Sequence, residues 1–331
     1  CAGADTNPRE QTTDMKLVFA GTPDFAVPSL RRLARAGHQI AAVITRPDKP
    51  RGRGHKMQPT PVKEAAQELD LPFIQPSSIN DNECVQRLEE IAPDLIAVVA
   101  YGDIIKPRVL ELPPHGVINL RASALPAYRG AAPINRAIMD GAEETGVTII
   151  RMVEEMDAGP VLDKRTVPIG SDETAGELHD ELATEGARLL EHVVDRIDTG
   201  DPPEETPQDE SEVTFAPKLK RGDRDIDWSL PATTIKNHVR GLTPWPGARC
   251  YLQTDDGKKR ITLVAVDADE TPDEADRPPG TVLEVTDRDE LAVKAGRGRV
   301  IMKKLKPAGS RAMSAKDFLH GHSISPGDRF A

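Results

Sequence analysis

The sequence predicts an α/β chain in two parts, a doubly wound, mostly parallel sheet followed by a smaller OB-like β-barrel. Three observations carry that reading. Up to about residue 198, short apolar runs alternate with helix-length amphipathic segments, as in parallel sheets built from crossover units. Residues 199–217 (TGDPPEETPQDESEVTFAP) are Pro-rich and acidic with almost nothing to bury, as in a linker. Beyond them, short alternating runs are cut by DDG, DRD and GRG turns, the rhythm of a small antiparallel barrel.

The first strand is Lys16–Ala20 (KLVFA), and residues 1–14 ahead of it read as a disordered extension. Gly21-Thr22-Pro23-Asp24 turns the chain into a helix from about Phe25 to Ala36. Gly21 stands without the rest of a GxGxxG pattern, so the turn holds no dinucleotide pyrophosphate. Ile40–Thr45 is the second strand, and the Pro- and Gly-loosened stretch RPDKPRGRGHKMQPTP after it reads as a basic loop. Amphipathic helices are expected over Pro61–Leu69 and Asn80–Ala92, with an extended piece near Pro72–Gln75. Asp94–Tyr101 (DLIAVVAY) is apolar throughout, as a central parallel strand must be. Gly116–Arg121 and Gly146–Arg151 continue the sheet. A helix over Thr174–Ile197, with Leu178, Leu182, Leu189 and Val193 on one face, completes a first domain of residues 15–198. After the linker, strands at Ala248–Gln253, Arg260–Val266, Gly280–Val285, Leu291–Lys294 and Arg299–Leu305 build the barrel of a second domain, 218–331.

The net charge of −11 is unevenly distributed. Residues 1–217 hold 22 Lys/Arg against 37 Asp/Glu (−15), and residues 218–331 hold 21 against 17 (+4), so the two parts face different partners. No apolar run approaches the ~18 residues of a membrane helix. The three cysteines are widely separated and form no CxxC pair, which argues against a zinc site or a disulfide framework. These features predict a cytoplasmic, metal-free monomer that stays off membranes.

The stretch that organises the chain is Gly116–Ile134, GVINLRASALPAYRGAAPI, followed by MDAG at Met156–Gly159. It reads as a buried strand that breaks at its carboxyl end into a loop, where open α/β sheets bind ligands. Asn119 places an amide there, Arg129 and Gly130 lie in the loop, and a helix over Ala131–Asp140 is expected to turn its amino end to the same crevice.

The order Asn119, Ser123, Leu125, Pro126, Tyr128-Arg-Gly-Ala-Ala-Pro-Ile134 and Asp157 resembles the signature of the folate-dependent formyltransferases, and the likeness runs from Met15 to Phe330. The resemblance implies a formyltransferase-like sheet, with 10-formyltetrahydrofolate as co-substrate and the α-amino group of methionine on initiator tRNA as acceptor. Asn119, position 121 and Asp157 are then the catalytic positions, and Ser123, Ala124, Leu125 and Pro126 the segment that holds the folate. Position 121 departs from the pattern. The family carries a histidine there, and this chain carries Arg121. A guanidinium keeps its proton at any working pH and cannot relay one. Impaired transfer is therefore expected, with Arg121 aimed at the oxyanion or closed onto Asp157. In relatives acting on tRNA a similar basic loop enters the acceptor arm, so Arg46, Lys49, Arg51, Arg53 and Lys56 are expected to contact tRNA, joined by Lys303 and Lys304 on the barrel. A non-catalytic tRNA- or folate-binding relative and a sugar-amine N-formyltransferase are the competing expectations.

Overall fold

The structure is a computed structural model that describes residues 15–51, 56–254, 257–271, 277–285 and 291–331. The extension 1–14 and Arg53 lie outside the described residues. The chain divides into two compact units: one runs through Arg129 and adds Gly146–Val167 and Asp180–Thr214, the other comprises Gly130–Thr145, Pro168–His179 and Phe215–Ala331.

The first unit is built on a seven-stranded sheet in the order Val161–Pro168, Glu144–Arg151, Val117–Arg121, Leu95–Val99, Lys16–Gly21, Gln39–Ile44, Phe73–Ile74. The five strands from Val117–Arg121 to Phe73–Ile74 pair in parallel. Their β-branched runs are buried on both faces, as parallel strands under helices must be. On one face Val18, Ala20, Ile96, Val98 and Val117 pack against Cys84, Val85 and Leu88 of the helix Asn82–Ile91. On the other, the long helix Ala175–Asp198 lies close at Gly186, where a Cβ would come within 2.8 Å of Leu120. The strand expected over Gly146–Arg151 runs Glu144–Arg151 and does extend the sheet. It does so antiparallel to Val117–Arg121, with Arg121 opposite Thr148.

The basic stretch after the second strand is a small hairpin rather than an open loop, with Lys49 opposite Gln58 and Arg51 opposite Lys56. The acidic segment 199–214 stays with the first unit and is held by polar bonds, since it has no apolar face to bury. Thr206 and Val161 exchange backbone hydrogen bonds of 2.9 and 2.8 Å, and Arg151 pairs with Glu205 at 2.9 Å.

In the second unit, Ala248–Thr254, Gly257–Asp269, Val282–Val285, Leu291–Lys294, Arg299–Pro307 and Arg329–Phe330 form one antiparallel sheet. It curls until its edges meet: the Phe330 amide donates to Gly280 and the Val282 amide to Asp328, each at 2.8 Å. A side chain at Gly280 would collide with the Phe330 carbonyl, so glycine permits the seam. Inside lie Trp228, Leu252, Ile261, Leu263, Leu291, Val293, Met302, Leu305, Phe318 and Phe330, capped by Ile235 and Val239 of the helix Ala232–Gly241. The helix after the site loop, Pro133–Met139, belongs to this unit and packs on Ala232–Gly241, Asn135 donating to the Gly241 carbonyl at 2.7 Å.

Candidate active site

The site grows from the strand Val117–Arg121. Side chains alternate along a strand, so Asn119 and Arg121 share the face that Val117 occupies lower down, and Leu120 points the other way. Asn119 is buried and lies level with Val98 on one neighbour and Ile150 on the other. Two residues on, an Arg121 Nη lies 2.8 Å from an Asp157 carboxylate oxygen, with the side chains only 19% and 4% exposed. Of the two arrangements expected for Arg121, the structure takes the ion pair with Asp157. Burial pushes the guanidinium below its ordinary value, and the neighbouring Asp157 carboxylate opposes that shift. His115, before the opposite end of the strand, is bound through its backbone by Asp94 and Arg151 and takes no part.

Asp157 belongs to the turn Met156–Gly159 and has φ +57°, in the left-handed region that Asp tolerates better than most residues. Gly159 packs so closely on the Arg151 carbonyl that no side chain fits there. The loop after Arg121 is shaped by Thr148, fully buried on the neighbouring strand. Its hydroxyl donates to the Ser123 carbonyl at 2.7 Å and accepts from the Leu125 amide at 3.2 Å. Ser123 and Leu125 are buried, Ala124 and Pro126 are half-buried, and the Leu125–Pro126 bond is cis. The Tyr128 and Arg129 amides then donate to the Thr214 hydroxyl and carbonyl, both at 2.9 Å.

The structure thus gathers Asn119, Arg121, Ser123–Pro126 and Asp157 in one unit at the carboxyl end of one strand. It adds groups that the sequence reading left out: Thr148, Gln208, and the bend Ala100–Gly102 beyond the next strand, with φ +47° at Ala100 and +85° at Gly102. A glycine three residues past a buried strand is a legible sign of that bend. Nothing in the spacing marked Thr148 or Gln208.

The basic residues are distributed differently. Lys49 and Lys56 are exposed on the hairpin, whereas Arg46 is drawn back onto Asp103 at 3.2 Å. On the barrel, Lys304 is exposed beside Lys306, and Lys303 reaches Asp267 at 3.3 Å. Among the described residues no His/Cys/Asp/Glu group could hold a metal ion, and no helix is long and apolar enough to cross a membrane.

The strand tip thus joins an amide, a buried carboxylate and a shaped loop. Residues 15–194 match the formyl transferase family and residues 218–323 match the formyl transferase C-terminal domain, and the chain belongs to this family. Within it, the chain is 46% identical over 321 residues to the methionyl-tRNA formyltransferase of Heliobacterium modesticaldum, spanning 96% of this chain and 100% of that one. It is likewise 46% identical to the methionyl-tRNA formyltransferase of Moorella thermoacetica over 95% of this chain and 98% of the relative. Among solved structures, an N-formyltransferase from Helicobacter canadensis in complex with folinic acid and dTDP-3-aminofucose shares the fold. Its TM-score is 0.64 at 18% identity, covering 90% of this chain and 100% of that one.

Proposed function

We propose that this chain transfers the formyl group of 10-formyltetrahydrofolate to the α-amino group of methionine on initiator methionyl-tRNA, at a rate held down by Arg121. The observation that carries the reading is the joint presence of Asn119 and Asp157 at one strand tip, in a chain nearly half identical to methionyl-tRNA formyltransferases over almost its whole length.

The acceptor nitrogen attacks the formyl carbon, a C–N bond forms, and the carbonyl oxygen takes up the electron pair. The bond to the folate nitrogen then breaks and that nitrogen takes a proton. An α-amino group has a pKa of roughly 8, so an appreciable share is neutral near pH 7 and attack needs no strong base. What the site must supply is a donor to the oxyanion and a route for the proton. The Asn119 amide serves as donor. A histidine at position 121, oriented by Asp157, would carry the proton, whereas Arg121 holds its own and ties up the carboxylate. The buried loop Ser123–Pro126, pinned by Thr148, holds the folate.

For the tRNA, Arg51 and Lys56 form a cross-strand pair on the hairpin, with Lys49 two pairs further back, and Arg53 completes the basic set by its place in the sequence. Arg46 joins them, its guanidinium held 3.2 Å from Asp103. On the barrel Lys304 contributes phosphate contacts, with Lys303 beside it on Asp267. The reading is tested by incubating the protein with charged initiator tRNA and 10-formyltetrahydrofolate. Formyl-methionine on the tRNA supports it, and formyl transfer to a sugar amine but not to tRNA refutes it.

A further inference from the structure

The segment between the two family matches, residues 195–217, contains the best-connected amide beside the site. Gln208 Nε2 donates to the backbone carbonyls of Asp157 and Gly159, each at 2.7 Å. Its Oε1 accepts from Arg129 Nε at 3.1 Å and from an Arg129 Nη at 2.8 Å. Arg129 is itself buried, at 5% side-chain exposure, and makes a second attachment to Glu210 at 2.8 and 3.3 Å. One side chain thus ties the turn that carries Asp157 to the far end of the loop that begins at Arg121.

We propose that Gln208 is a positioning residue of the transfer reaction: it fixes the Met156–Gly159 turn, and through it the Asp157 carboxylate, relative to the Val117–Arg121 strand. Asp157 sits at φ +57°, a conformation that persists only where the surroundings impose it. The Asp157 and Gly159 carbonyls both accept from this one amide, so its loss removes two hydrogen bonds from a tight turn. The carboxylate lies 2.8 Å from position 121, and an error of about 1 Å in such a pair costs on the order of 10²-fold in rate. The inference rests on the functional reading above and deepens it.

Gln208→Glu separates positioning from mere anchoring. The new carboxylate keeps, and strengthens, the attachment to Arg129, and it has no N–H for the two carbonyls. We expect Gln208→Glu, made in the full-length protein both in the present sequence and alongside Arg121→His, to cost about 10- to 100-fold in kcat in the Arg121→His background, where Asp157 orients a proton carrier. Its KM for methionyl-tRNA should stay within about twofold, and backbone amides 156–159 should exchange hydrogen faster. Gln208→Ala should show the same kcat loss together with lower stability. A Gln208→Glu protein with unchanged kcat in the Arg121→His background, or with unchanged exchange at 156–159, overturns the proposal. If neither background formylates methionyl-tRNA, the functional reading fails, and the exchange measurement alone decides the role of Gln208.

Discussion

Replacing Arg121 by histidine should raise the rate of formyl transfer while lowering stability. The guanidinium and the Asp157 carboxylate lie 2.8 Å apart, and both are mostly buried. Removing one partner of such a pair outright strands the other, which costs about 3–5 kcal/mol. Arg121→Ala should therefore destabilise the protein by roughly that amount and gain no activity, because it frees the carboxylate without adding a proton carrier. Arg121→His should cost less, since an imidazole still donates to Asp157. It also restores a group that titrates near neutrality, and a positioned acid–base partner is worth on the order of 10²–10⁴ in rate, roughly 3–5 kcal/mol off the barrier. The assay is single-turnover formylation of charged initiator tRNA at saturating 10-formyltetrahydrofolate, with thermal unfolding measured in parallel for all three proteins. Fast, equal turnover in the native and Arg121→His proteins would refute the argument, as would a gain in rate for Arg121→Ala matching that for Arg121→His.

Other expectations follow from the same geometry. Thr148→Val removes the hydroxyl that joins the Ser123 carbonyl to the Leu125 amide and should cost about 1–3 kcal/mol. It should weaken folinic acid binding by calorimetry, with tRNA affinity preserved. Reversing charge at Arg51 and Lys56 together should weaken tRNA binding and flatten its dependence on salt, leaving folate affinity alone; equal loss of both ligands would make the hairpin structural. Hydrogen bonds from Thr271 and Thr233, backed by Arg299 and Arg297, hold the Asp269 and Glu270 carboxyls down to about 2. Their depressed values mean that they stabilise the fold above the ordinary carboxylate range and that the contribution is lost as pH falls from about 4 towards 2. Asp269→Asn should accordingly shrink the acid-induced loss of stability in that window. Burial raises the Cys84 thiol to about 11, so at pH 8 it should resist alkylation in the folded protein and react once denatured, as peptide mapping would show.

Much of this architecture could be read from residues alone because the signals are local. Apolar β-branched runs such as Leu95–Val99 can only be central strands, and the alternating runs after residue 247 can only line a small barrel. The direction of Glu144–Arg151 was not legible, because side-chain pattern is the same whichever way a strand runs. The helix expected over Ala131–Asp140 runs Pro133–Met139, and its packing on Gly241, a hundred residues away in sequence, left no local sign. At the site, Asn119 and Asp157 were found through the order of their flanking motif. The Arg121–Asp157 pair was one of two arrangements that guanidinium chemistry allowed, and only coordinates chose between them. Thr148 and Gln208 escaped because a hydroxyl and an amide leave no periodicity, and because residues 199–217, rich in Pro and acids, read as mere connecting chain.

That last segment bears on how the molecule can be taken apart. An amino-terminal fragment ending at residue 194, where the first family match stops, would keep every strand of its sheet and every residue of the recognised motif. It would also be cut free of Thr206, Gln208, Glu210 and Thr214, the residues that fasten Val161, the Asp157 turn, Arg129 and Tyr128. Such a fragment could fold and still be slack where the chemistry occurs, so the smallest working piece of this half extends at least to Thr214.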